Sequence, residues 1–175
     1  MADQGQIRTA LERAIRAMEL RPAIARTTHR GTATLDAEGL GCTFSDGTRE
    51  IRIDMPKAVG GDGTAPSPGG YARAAFAGCI AIGLRMHASL RGISLGQVAV
   101  DLEVDCDDRG DFGIDGVPPG YEAFRLKIRI ESPADRAALD ALVADSLAVS
   151  PLLALHRMAQ QVATEVEIVA TGPGS

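Results

Sequence analysis

One stretch limits what this chain can fold into more than any other: a helix start followed by a long apolar helix with a single thiol in its third turn. It reads Ser67-Pro68-Gly69-Gly70-Tyr71-Ala72-Arg73-Ala74-Ala75-Phe76-Ala77-Gly78-Cys79. Ser67 suits the N-cap, and Pro68 suits the first helical position, where a missing N–H loses no hydrogen bond. The helical pattern runs to about Leu90, and Gly92 supplies a C-terminal stop. No residue from Ala74 to Leu84 is charged. That run is too short to span a bilayer, but it is apolar on nearly every side, so the helix must be buried by other elements. Ser150-Pro151 repeats the start signal further along.

The flanking pattern supplies the covering elements. Ile7, Leu11, Ala14, Ile15 and Met18 recur at helical spacing and predict an amphipathic helix over 5–19, within an N-terminal segment 1–22 closed by Arg21-Pro22. Residues 25–55 read as a three-stranded antiparallel meander. Its signals are the Thr-rich run Thr27–Leu35, alternating Leu40, Cys42 and Phe44, a Ser45-Asp46-Gly47 turn, and alternating Ile51 and Ile53. The Gly-rich loop 58–67 lacks the Gly-Lys-Ser/Thr ending of a phosphate cradle. The central helix occupies 67–91.

A β-hairpin is expected over 96–131. Val98, Val100, Leu102, Val104 and Cys106 share one face of its first strand. Phe124, Leu126, Ile128 and Ile130 share one face of the second. Acidic outer residues on the first strand and basic ones on the second suit cross-strand pairing. Over 132–170, Ser132-Pro133 predicts a helix carrying Leu139, Leu142, Val143 and Leu147. Ser150-Pro151 predicts a short helix, and Glu165–Val169 a last strand. No repeat and no linker divides the chain, so the expectation is a single α+β domain over 1–175.

Composition narrows the function classes. A net charge of −5 argues against nucleic acid, whose phosphates need a basic surface. Four Phe, two Tyr and no Trp leave little for a base-stacking platform. No signal peptide is visible, and three cysteines without framework spacing fit a reducing cytoplasm. His29 and His156 have no partner residues at metal spacing, and His87, eight residues beyond Cys79, reads as a hydrogen-bonded structural histidine rather than part of a shared cleft, so neither a metal nor a cofactor is expected. The run Asp105 to Asp111 has Gly116 where a calcium loop needs its bidentate Glu, and reads as a solvated turn.

With the order of elements in place, the chain resembles the OsmC/Ohr family of osmotically inducible and organic hydroperoxide resistance proteins. The resemblance rests on the meander, on Asp54-x-Pro56-x-x-x-Gly60-Gly61, and on Pro68 followed eleven residues later by Cys79. Gly92, the long hairpin and the X-Pro helix near residue 150 complete it. It implies an intertwined homodimer, with antiparallel sheets wrapped around long central helices and sites at the dimer interface. It also implies that Cys79 is the peroxidatic thiol and that an arginine activates it. Arg30 is the first candidate for that arginine and Arg26 the second. Two family positions differ: Ser150 stands where a resolving cysteine precedes the helix proline, and Gly69 where an acidic residue follows the proline of the long helix. The sequence looks closer to an OsmC-like branch with Ser-Pro at the second site.

Each candidate also has a packing role. Free cysteine is among the most buried residue types, and Cys79 lies too far from its helix N-terminus for the dipole to activate it. Cys42 and Cys106 fall on apolar strand faces and are expected in the core. Ser150 is accounted for as an N-cap. Two functions stay open. One is thiol-dependent reduction of organic hydroperoxides through Cys79 and Arg30, completed by an external thiol reductant or by a repositioned Cys42 or Cys106. The other is a non-catalytic dimer that binds a small apolar ligand in the interfacial cleft.

Overall fold

The computed structural model describes residues 3–169. Helix α1, Gln4–Leu20, opens on a reciprocal cap. The Asp3 carboxylate accepts the Gln6 N–H, and the Gln6 side chain accepts the Asp3 N–H. Gln4, Ile7, Leu11 and Ala17 are its half-buried positions. The helix lies against α2, and the Gln4 side chain donates to the Ile93 carbonyl.

The meander forms as β1 (Thr32–Leu35), β2 (Cys42–Ser45) and β3 (Glu50–Ile53), all antiparallel, with Leu35 opposite Cys42 and Cys42 opposite Ile53. Its first strand is shorter than the Thr-rich run suggested. It starts only at Thr32, because Gly31 lies under the Phe44 ring, where a Cβ would overlap it.

From β3 the chain enters a loop organised by one buried carboxylate. Asp54 accepts the N–H and the hydroxyl of Thr64, each at 2.8 Å, and the Met55 N–H at 2.7 Å. These donors, the Thr64 backbone first, hold its pKa down at about 2. Gly61 completes the loop, since a Cβ there would collide with the Met55 backbone. Tyr71 then ties the next helix to β3 by donating to the Arg52 carbonyl at 2.8 Å.

Helix α2, Pro68–Arg91, has the predicted caps. Ser67 accepts the Gly70 N–H, and Gly92 adopts the left-handed conformation at φ 68°. Phe76, Ile80, Leu84 and Ala88 form its buried face and the centre of the core. Covering them are the hairpin, β4 (Val98–Cys106) with β5 (Tyr121–Ile130), and α3 (Arg136–Ala148), which contributes the fully buried Leu142. Contrary to the all-round burial expected for α2, its far side is open: Ile82 is 64% exposed and Met86 39%.

The hairpin carries the expected charge pairs. Arg125 bonds Glu103 and Asp105, and Arg129 bonds Asp101. All are exposed, so each contributes about 0–1 kcal/mol.

Three other expectations need correction. The helix predicted from Ser132-Pro133 begins at Arg136, capped by Asp135. Ser132 is engaged elsewhere, donating to the Ser94 carbonyl at 2.6 Å. Cys106 is exposed instead of packed in the core, because the register shifts between Asp105 and Cys106 and breaks the alternation at the strand end. The last strand, expected at 165–169 within 132–170, does not form. Val162, Val166 and Ile168 are 84%, 75% and 87% exposed, with no neighbouring strand among the described residues to complete a ladder. Among the described residues only the short α4, Pro151–Arg157, follows α3. The chain exposes 13212 Å². A compact chain of this mass would expose about 8,000 Å².

Candidate functional site

The site is built where α4 meets the middle of α2. Cys79 lies one turn beyond the buried Phe76 and is half-buried. Ser150, only 8% exposed, heads α4. Its Oγ is 3.9 Å from the Cys79 Sγ, at the long end of hydrogen-bonding contact for sulfur. The same oxygen accepts the Leu153 N–H at 3.4 Å, so the predicted cap is present. Leu153 is buried beneath it and anchors the short helix in the core. The pattern Ser-Pro-Leu-Leu therefore fixes where the hydroxyl sits.

Beside this pair stands a wall of rings that sequence reasoning missed. His156 packs at a tilt against Phe76 at 4.4 Å and Phe124 at 4.7 Å between ring centroids. Phe124 also meets Phe76 edge-on at 5.8 Å and Tyr121 at 5.1 Å. The rings come from α2, β5 and α4, so no local spacing reveals them. His156 spans one and a half turns from Ser150, which is the only local hint that both belong to one surface.

A second missed residue is Arg73, on the same α2 face as Gly69 and exposed. A Cβ at Gly69 would sit 3.2 Å from both the Arg73 guanidinium and the Tyr121 hydroxyl. A side chain longer than glycine at 69 would thus meet a cation and a phenol. The i, i+4 spacing of Gly69 and Arg73 was the available signal.

Arg30 is not brought to Cys79 by a hydrogen bond. It lies exposed ahead of β1, beside an open pocket with Thr28, His29, Phe44 and Thr48. Among the described residues no Arg or Lys hydrogen-bonds the Cys79 sulfur, and no three His, Cys, Asp or Glu residues gather where a metal could bind. Nor is any single helix among them long and apolar enough to cross a membrane.

The other two thiols are set differently. Cys42 is half-buried in the meander. Cys106 donates to the Asp108 carboxylate at 3.4 Å, and that hydrogen bond, with desolvation and the carboxylate charges, pushes its pKa up.

Known proteins are similar to this chain in family pattern and in fold. A family model for OsmC-like proteins matches residues 61–166. An uncharacterized protein of Haloferax volcanii is 31% identical over 81 residues, which make up 46% of this chain and 58% of that protein. The chain thus matches little more than half of that relative. The OsmC-like protein of Mycoplasma pneumoniae is similar in structure with a TM-score of 0.62, at 15% identity, over 75% of this chain and 88% of that one. An organic hydroperoxide resistance protein from Elizabethkingia anophelis gives 0.54 at 19% identity, over 75% and 89%. These structural likenesses are likenesses of fold.

Proposed function

The chain belongs to the OsmC-like family, and from that premise we propose that it reduces organic hydroperoxides with Cys79 as its one reacting thiol. One observation carries the proposal: the half-buried Cys79 sulfur faces a hydroxyl, not a thiol, at 3.9 Å and lies next to the aromatic wall around Phe76. Phe76 is buried, but the exposed His156 and Tyr121 rings that pack on the cluster suit the apolar part of a hydroperoxide. The name of the Elizabethkingia relative supports the substrate class.

The Cys79 thiolate attacks the terminal oxygen of ROOH. An S–O bond forms, the O–O bond breaks, and RO⁻ leaves with the electron pair and takes a proton to become ROH. Cys79 is left as a sulfenic acid. Ser150 cannot condense with it. An external thiol R′SH does, releasing water and leaving a mixed disulfide on Cys79. A second R′SH frees the Cys79 thiol as R′SSR′. The sum is ROOH + 2 R′SH → ROH + H₂O + R′SSR′.

Arg30 is the proposed partner of the thiolate, carried to it on the meander of a second subunit. The large exposed area and the open α2 face at Ile82 and Met86 support such a homodimer. The test is consumption of an alkyl hydroperoxide in the presence of a small thiol. Wild type should turn over and Cys79→Ser should not, while Arg30→Ala should be about a hundredfold slower. Unchanged turnover in Cys79→Ser would overturn the proposal. A wild type that binds apolar ligands but consumes no peroxide would establish the non-catalytic reading instead.

A further inference from the structure

We propose that Ser150 is a hydrogen-bond donor to the reacting sulfur, in addition to its role as a helix cap. The inference rests on the reading of Cys79 as the reacting thiol. A serine hydroxyl has one proton and two lone pairs. At Ser150 one lone pair is engaged by the Leu153 N–H at 3.4 Å. The proton therefore remains for another partner. The residue is buried, so water does not readily take it. Among the described residues the Cys79 Sγ, at 3.9 Å, is the other polar atom in hydrogen-bonding contact with this hydroxyl.

With the oxygen accepting from the backbone, the hydroxyl proton stays free to point at the sulfur across the α2–α4 junction, and a thiolate sulfur, having no proton, can only accept it. Within its own chain the hydroxyl is placed to favour the thiolate over the thiol, alongside the Arg30 proposed from a second subunit, since a hydrogen bond to the charged form stabilises that form. After oxygen transfer it can donate to the sulfenate in the same way. Replacing a thiol by a hydroxyl here removes the internal nucleophile and keeps the anion-stabilising donor. The oxidised sulfur is left for an external thiol.

Alkylation of Cys79 by iodoacetamide, followed by peptide mass spectrometry across pH, separates donation from capping. Ser150→Gly keeps most of the cap and removes the hydroxyl, while Ser150→Thr keeps both. Losing the donor cuts the thiolate fraction at pH 7 about tenfold, but a thiolate without a hydrogen bond is intrinsically more nucleophilic. The expected net result is alkylation about threefold slower at pH 7 and about two- to threefold faster on the alkaline plateau, with Ser150→Thr following wild type. A Ser150→Gly profile identical to wild type would overturn the proposal. So would a change by the same factor at every pH, which reports access and not donation. Oxidation of the same wild-type sample by peroxide tests the peroxidase reading separately, because alkylation needs no peroxide.

Discussion

Cys79 and Cys106 are the same side chain in opposite settings. Cys79 is half-buried at a helix junction, faces a hydroxyl at 3.9 Å and stands against packed rings. Cys106 is exposed at the end of a strand and donates its proton to the Asp108 carboxylate at 3.4 Å. A hydroxyl can support a thiolate; a carboxylate opposes one. Exposure alone would nominate Cys106 as the reactive thiol, and the neighbours of the two sulfurs reverse that ranking.

The comparison can be sharpened most by giving Cys79 an internal partner. Ser150→Cys should convert Cys79 from sulfenic acid formation to a disulfide with position 150 on oxidation, read as a loss of free thiols on non-reducing peptide maps. Failure in a folded variant would mean the junction cannot reach disulfide geometry. Next in size is the cost of disturbing each setting. Phe76, 1% exposed beneath the Cys79 site, should lose about 3–5 kcal/mol of unfolding free energy when replaced by Ala. Phe112, 68% exposed in the loop beyond Cys106, should lose no more than about 0.5 kcal/mol. Chemical denaturation of both variants checks this, and equal losses would break the contrast. The smallest effect concerns Cys106 itself. Asp108 raises its pKa, so Asp108→Asn should let it ionise at lower pH and speed its alkylation at pH 8 a few-fold, with Cys79 unaffected.

Much of this was legible in the sequence, for local reasons. Ser67, Pro68 and Gly92 mark both ends of α2 because caps act within one turn. Period-two alternation marks the hairpin, and the resemblance singles out Cys79. What escaped depends on partners distant in sequence. Ser132 looked like a helix cap until the Ser94 carbonyl claimed it. Glu165–Val169 alternates like a strand but has no neighbour within the described chain. The resemblance sets position 150 opposite Cys79, while Ser150 itself reads only as a cap; that its hydroxyl contacts the sulfur, 71 residues away in the chain, needed the folded structure. The packing of His156 against Phe76 and Phe124 needs three elements brought together, which no spacing rule encodes.

The central claim is that Cys79 reacts with peroxide and has no internal resolving partner. Its most direct test is the intact mass of the protein after brief exposure to one equivalent of an alkyl hydroperoxide, with and without a sulfenic-acid trap. The account predicts a gain of one oxygen that maps to Cys79, is captured by the trap, and proceeds to the sulfinic acid with excess peroxide, without an intramolecular disulfide. No gain of oxygen, or a gain that persists in Cys79→Ser, would contradict it.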